Sequence, residues 1–359
     1  MQASPGDALW KSIAYFAGEV KKESGTFFRL FHRLVIVRPR RLDHDRIYVQ
    51  FCSAQGKEAD QMDRVRKILH AGEAHRAGVT GMGVTAAILD SGCSLHPDYR
   101  DRLIGSYDFV NGRNGCYDDA SHGTHVAGIL AGDGRSGQGR YRGIAPGCRI
   151  LGLKVLDRFG QGELEQLTAA VEWCIENRER YRIRILNLSA GTAKEEEDAR
   201  ACQLVECVER AWDAGIVVVV AAGNRGPDAE SITVPGNSRK VITVGSSDGF
   251  PEQQGRKHAQ YSGCGPTREC ICKPELVCPG TRIVSCHTGY LQGRSYAAKS
   301  GTSMAAPAVA GAIALLLQQE PYLTNVEVKM RMRECAADAH LAQNRQGWGI
   351  PDLRRLLRL

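Results

Sequence analysis

From about residue 65 onward, short apolar runs alternate with segments of helical periodicity, and this alternation constrains the fold more than any other feature of the chain. Runs that short fit strands buried on both faces, and helices between them are the crossovers that parallel strands require. The runs are Val84–Leu89, Ile150–Val155, Ile183–Leu188, Ile216–Ala221 and Val241–Val244. Residues Glu163 to Arg180 carry Leu164, Leu167, Val171, Cys174 and Ile175 at helical spacing. Ala199 to Ala214 does the same with Leu204, Val208, Ala211 and Trp212, and stops at Gly215, a residue suited to a helix C-terminus. Thr302 to Gln319 is apolar on nearly every side, which predicts a central, buried helix. The expected fold is α/β: a three-layer, doubly wound, mostly parallel sheet with helices on both faces.

Residues 1 to about 60 differ from this regular region. They hold Phe27, Phe28, Phe31, the basic cluster Arg38-Pro39-Arg40-Arg41, and two strand-like stretches, Leu34–Val37 and Ile47–Phe51, with no evident chemistry. The expected organisation is an N-terminal extension over residues 1–60 and a main domain over residues 61–359. The net charge of +7 is mild for this length and is no signature of nucleic-acid binding. No apolar run approaches the roughly 20 residues of a membrane span. The 13 cysteines are odd in number and unpatterned, which fits a reducing compartment better than a disulfide framework. Asp7, Lys11 and Glu19 interrupt any signal-peptide core, so the expected location is cytoplasmic.

In open α/β sheets, functional residues gather at the carboxyl ends of strands. Three motifs stand at such places. In Ile88-Leu89-Asp90-Ser91-Gly92 an apolar strand runs into an aspartate and a glycine turn. Taken alone, Asp90 reads as a turn former. In Ser121-His122-Gly123-Thr124-His125-Val126-Ala127-Gly128 a histidine stands where a small-residue helix begins, and spacing does not separate His122 from His125. In Gly301-Thr302-Ser303-Met304-Ala305-Ala306-Pro307 a serine opens the buried helix, whose free N–H groups and positive dipole end suit an oxyanion. Nucleophile, base and orienting carboxylate are thus all available: a serine hydroxyl needs a base, and a buried aspartate fixes the imidazole tautomer. Asn224, in Ala221-Ala222-Gly223-Asn224, again follows an apolar strand and can donate its amide to the oxyanion.

These four motifs, in the order Asp, His, Asn, Ser, resemble those of the subtilisin-like serine proteases, the subtilases. The similarity extends from about Ile68 to Leu341, and Tyr141-Arg142-Gly143-Ile144-Ala145-Pro146 and Ala211-Trp212-Asp213-Ala214-Gly215 are similar to bacterial intracellular members. The resemblance implies a serine endopeptidase in which His122 is the general base, Asp90 the orienting carboxylate, Ser303 the nucleophile and Asn224 the oxyanion donor. His125 is then structural. The resemblance also implies that Leu188-Ser189-Ala190-Gly191 pairs with the substrate backbone and that the Gly160-Gln161-Gly162 segment pairs from the opposite side, holding extended or unfolded polypeptides. It further raises the prospect that residues 1–60 are an inhibitory prosegment.

Two departures from the family pattern bear on function. The stretch Gly132 to Gly139 holds a single acidic residue, Asp133, thin for a calcium site that takes about six to eight oxygens, so no cofactor is expected. At the specificity pocket Arg225 follows Asn224 and Thr233 falls at the expected base, which predicts tolerance of an acidic side chain before the cleaved bond. The spacing of Cys264, Cys270, Cys272 and Cys278 is unlike paired zinc motifs and predicts free, mostly buried thiols. Cys93 is expected near the site, within reach of thiol reagents. Two rival functions are weighed. A lipase-type elbow needs Gly-x-Ser-x-Gly, where this chain has Ala305 at the last position. A catalytically idle peptide-binding protein on the same fold is the alternative.

Overall fold

The computed structural model describes residues 47–48, 52–53, 61–192, 198–249 and 261–359. The chain divides into two units, Met1–Asp43 and His44–Leu359, and all described residues belong to the second. The phenylalanines, the basic cluster and the expected strand at 34–37 lie outside the described residues.

Runs of Val, Ile, Leu and Ala that cannot face water on either side build the central sheet. Its strands are β3 (Thr85–Asp90), β4 (Leu103–Asp108), β5 (Arg149–Lys154), β7 (Ile183–Leu188), β8 (Val217–Ala221), β9 (Ile242–Ser246) and β10 (Leu276–Cys278). They lie in the order β10-β9-β8-β7-β3-β5-β4 and every pairing is parallel. Five short strands form two smaller sheets: β1 (Ile47–Tyr48) pairs antiparallel with β6 (Gln161–Gly162), while β2 (Cys52–Ser53) and β11 (Ile283–Cys286) flank β12 (Tyr296–Ser300), all antiparallel. The helices are α1 (Gln61–Ile68), α2 (Ala71–Arg76), α3 (Gly123–Ala131), α4 (Leu164–Glu176), α5 (Arg178–Tyr181), α6 (Ala199–Asp213), α7 (Thr302–Gln319) and α8 (Asn325–Glu334).

The doubly wound architecture expected from the sequence is the one observed. The chain leaves β3 for the edge strand β4, returns through β5, and then crosses to the other side of β3 at β7. Connections diverge there, opening a crevice at the carboxyl ends of β3 and β7. α7 fills the middle of one face: it packs against α3 and strands β7 to β9 and is buried from Thr302 to Leu317. Its apolar length would pass for a membrane span, but the apolar surface is spent inside the protein.

Two expectations differ from the structure. The helix expected to run from Glu163 to Arg180 ends at Glu176, where the Asn177 side chain bonds back to the Trp173 carbonyl at 2.9 Å and a separate turn begins. Strand β4 carries no continuous apolar run because it is a half-buried edge.

Candidate active site

The site grows from backbone placement at the ends of β3 and β7 and the start of α7. Asp90 closes β3 and is fully buried. Gly92 then turns the chain at a φ of +112° that side chains rarely adopt. The turn lets α3 approach closely: a Cβ on Gly123 would lie 2.1 Å from the Gly92 carbonyl oxygen, so only glycine fits. Asp118 caps α3, accepting from the Thr124 N–H at 2.8 Å and from the Ser91 hydroxyl at 2.8 Å. The Ser91 hydroxyl in turn accepts from the Gly123 N–H at 3.0 Å.

That cap aims His122, which precedes α3, at the carboxylate. His122 Nδ1 stands 2.7 and 2.9 Å from the two Asp90 oxygens, both residues being buried. A carboxylate acceptor fixes the proton on Nδ1 and leaves Nε2 as the basic atom. Lys154, buried at the end of β5 and in register with Asp90, donates to the Ser91 and Leu156 carbonyls at 2.9 and 2.7 Å and to Asp119 at 2.7 Å. It secures the turn that carries the carboxylate.

His125 has a different task. Its Nε2 donates to the carbonyls of Ile283 and Ala297, each at 3.0 Å, joining α3 to β11 and β12. Burial pushes its pKa well below the ordinary histidine value, aided by the nearby Lys299 and His122, so the ring stays neutral.

Ser303 lies in the first turn of α7, and its hydroxyl donates to the Ser189 carbonyl at 2.9 Å. Asn224 follows β8, and its Oδ1 accepts from the Thr302 N–H and hydroxyl at 2.9 and 3.1 Å. The Thr302 hydroxyl also accepts from the Gly223 N–H at 3.1 Å, tying the two segments together. A small cavity of about 30 Å³ opens beside Ser303, lined by Ser189, Ala190, Gly191, Asn224, Arg225 and Thr233 among others. Gly191 and Gly223 permit its closure, since a Cβ at either would meet the Thr233 Oγ1 at 2.9 or 2.4 Å. The structure therefore joins Asp90 to His122, and gathers Ser303, Asn224 and the pocket residues. Leu188 ends β7 just ahead of that wall, while Gly162 lies in β6, paired with Ile47 of β1, and Gly160 immediately precedes that strand.

Sequence reasoning missed Asp118, Lys154 and Thr302. Only Thr302 had a signal, its place inside the serine motif. Cys93 does lie by the site, but it is fully buried with its thiol pushed well up by burial, so thiol reagents have no access to it. Cys264 and Cys278 are buried as expected, whereas Cys270 and Cys272 are exposed. The one carboxylate of the Gly132–Gly139 loop, Asp133, is taken by Arg135 at 2.7 Å and Arg102 at 3.6 Å, so the loop does not fit calcium.

Comparison with known proteins gives the same picture. The family model described as the subtilase family matches residues 81–349. Serine protease AprX of Bacillus subtilis (strain 168) is 43% identical, covering 75% of this chain and 65% of that protein. Subtilisin BL of Lederbergia lenta is 34% identical over 75% of this chain and 88% of its own length. A solved structure of a cold adapted subtilisin-like serine proteinase shares 29% identity at a TM-score of 0.60, covering 76% of this chain and 88% of the other. The chain spans about two thirds (65%) of the length of AprX and of a thermostable alkaline protease from Halalkalibacterium halodurans. Matched over most of its length by the family model, and with the motif residues set at the crevice of the same fold, this chain belongs to the subtilase family.

Proposed function

We propose that the chain is a serine endopeptidase acting on extended or unfolded polypeptides. The observation that carries this is the buried His122–Asp90 pair, 2.7 Å apart, at the crevice into which α7 brings Ser303. In this reading the Ser303 hydroxyl leaves the Ser189 carbonyl by rotation about χ1 and gives its proton to His122 Nε2 as it attacks the peptide carbonyl. Asp90 stabilises the imidazolium that forms. The Asn224 amide and the backbone N–H of Ser303 receive the oxyanion. His122 then protonates the leaving amine, and water repeats the sequence on the acyl-enzyme. The reaction so assembled is complete without a metal or organic cofactor.

The segment Ser189-Ala190-Gly191 on one side and β6 on the other supply backbone partners for a peptide in extended form, so affinity rests on main-chain bonds. Arg225 at the pocket rim favours an acidic residue before the cleaved bond. Buried thiols at Cys93, Cys148, Cys174 and Cys286 support work in the reducing cytoplasm; recovery of the protein only from the secreted fraction would reject that location.

The test of the activity is labelling with a fluorophosphonate probe. Wild type is expected to label at Ser303 and to hydrolyse unfolded casein, while Ser303→Ala does neither. A folded wild type that neither labels nor cleaves supports the idle peptide-binding alternative.

A further inference from the structure

Among the described residues, His96, Asp98 and Cys286 form a group of three metal-ligating side chains whose ligand atoms all lie within 4.8 Å of one another. None belongs to the proposed catalytic machinery. His96 and Asp98 stand in the turn after β3, and Cys286 ends β11, nearly two hundred residues away in sequence. All three are almost fully buried, at 0%, 0% and 1% exposure. We propose that they form a structural site for a zinc-class divalent cation that pins the turn after β3 to the β11–β12 layer.

The distances suit such an ion. His96 Nδ1 is 3.8 Å from Asp98 Oδ1, and Cys286 Sγ is 3.8 Å from Asp98 Oδ2. Four ligands at zinc bond lengths stand roughly 3.3–3.8 Å from one another, so an ion enters with little movement. The outer bonds are in place as well. His96 Nε2 donates to the Ser295 carbonyl at 2.9 Å, which fixes the tautomer with the lone pair on Nδ1, where it now accepts from the Asp98 backbone N–H at 3.2 Å, a bond the ion would replace. The Tyr296 hydroxyl donates to Asp98 Oδ2 at 2.6 Å and orients the carboxylate, which leaves the fourth position to a water.

Charge supplies the second, independent argument. Among the described residues no lysine or arginine nitrogen comes within 4.0 Å of the Asp98 carboxylate, although it is fully buried. Of the two guanidiniums that follow in sequence, Arg100 pairs with Asp101, and Arg102 bonds to the Asp98 backbone carbonyl and to Asp133. The Asp98 oxygens accept from neutral donors, the Ser136 N–H at 2.9 Å and the Tyr296 hydroxyl, which leave the buried negative charge without an opposite charge beside it. When the ion binds, the Cys286 thiol gives up its proton to solvent, and one thiolate with one carboxylate neutralises the divalent charge. The nitrogen, sulfur and oxygen donors select zinc or cobalt and disfavour calcium, which takes oxygen ligands.

The test uses full-length Ser303→Ala protein, which removes self-digestion, stripped with a chelator and titrated with Co²⁺. The expected result is one equivalent bound, a thiolate-to-cobalt charge-transfer band, and a raised Tm with Zn²⁺ but not with Ca²⁺. Cys286→Ser is expected to lose the band, and His96→Gln to weaken binding by about 10- to 100-fold. A Cys270→Ser, Cys272→Ser double variant should keep the band, and covers the case in which Cys286→Ser fails to fold. Folded parent protein that takes up no Co²⁺, or a band lost with the exposed pair and kept in Cys286→Ser, overturns the site.

Discussion

Asn224 shows how a single side chain is prepared in advance. Thr302 holds its Oδ1 with two donors at 2.9 and 3.1 Å, and fixing the oxygen of a carboxamide fixes its NH₂ group too. Replacing Asn224 with Ala is expected to lower kcat by about 10²–10³-fold with little change in KM, the size such a donor has elsewhere in this family. Steady-state kinetics on a folded variant check this, and a loss of less than about threefold would remove Asn224 from the oxyanion site. The role proposed for Arg225 is in selection instead. It is exposed at a cavity of about 30 Å³, so it steers a short acidic side chain better than a long one. A peptide-library profile should favour Asp before the cleaved bond, and Arg225→Ala should reduce that preference by about fivefold or less, as for a solvent-exposed charge. A profile dominated by Lys or Arg contradicts the assignment. Asp90, His122, Asn224 and Ser303 were legible because each sits in a local motif. Asp118 and Lys154 were not. Their partners Ser91 and Asp119 lie 27 to 63 residues away, and nothing in an isolated aspartate or lysine announces such a contact.

At the scale of elements, α3 depends on His125 for its attachment to β11 and β12, and that attachment carries a pH dependence. The folded protein holds the ring neutral, with its pKa well below 6.5, while the unfolded chain binds a proton near that value. The folded pKa is the lower one, so the contribution is fully present above about pH 6.5 and is lost as the pH falls, at about 1.4 kcal/mol per unit. His75, His96 and His287 are lowered in the same sense, so the effect of one ring is read as a difference. His125→Gln is expected to be less stable at pH 7.5 but to lose stability less steeply between pH 6.5 and 5. Parallel slopes in urea denaturation would show that His125 protonates freely in the folded state. The elements themselves were unevenly legible. β3, β5, β7, β8 and β9 are buried along almost their whole length and read as apolar runs. β4 is a half-buried edge, and β10 is three residues long, so neither makes a pattern that stands out from a loop.

For the molecule as a whole, the open matter is what its own N-terminal region does to the cleft. β1 adds an antiparallel strand to Gln161–Gly162, the segment assigned to substrate, and β2 adds one to Lys299–Ser300, just ahead of Ser303. Strand addition is also the means proposed above for holding a peptide substrate, and on that proposal the two compete for the same backbone groups. A tethered segment competes at an effective concentration on the order of millimolar, which few free substrates match. In sequence only residues 49–51 separate β1 from β2, and β2 pairs beside Ser300, three residues before Ser303, so the expected place of self-cleavage is this short connection. Intact-mass measurement of wild type against Ser303→Ala is expected to show a shorter wild type whose new N-terminus falls between residues 49 and 52, and a full-length variant. Activity should rise as the released piece is removed by gel filtration, because an intramolecular competitor has then become a dilute one. Equal masses in an active wild type would mean that the N-terminal region is a permanent part of the folded enzyme, and that β1 and β2 belong to its architecture and do not regulate it.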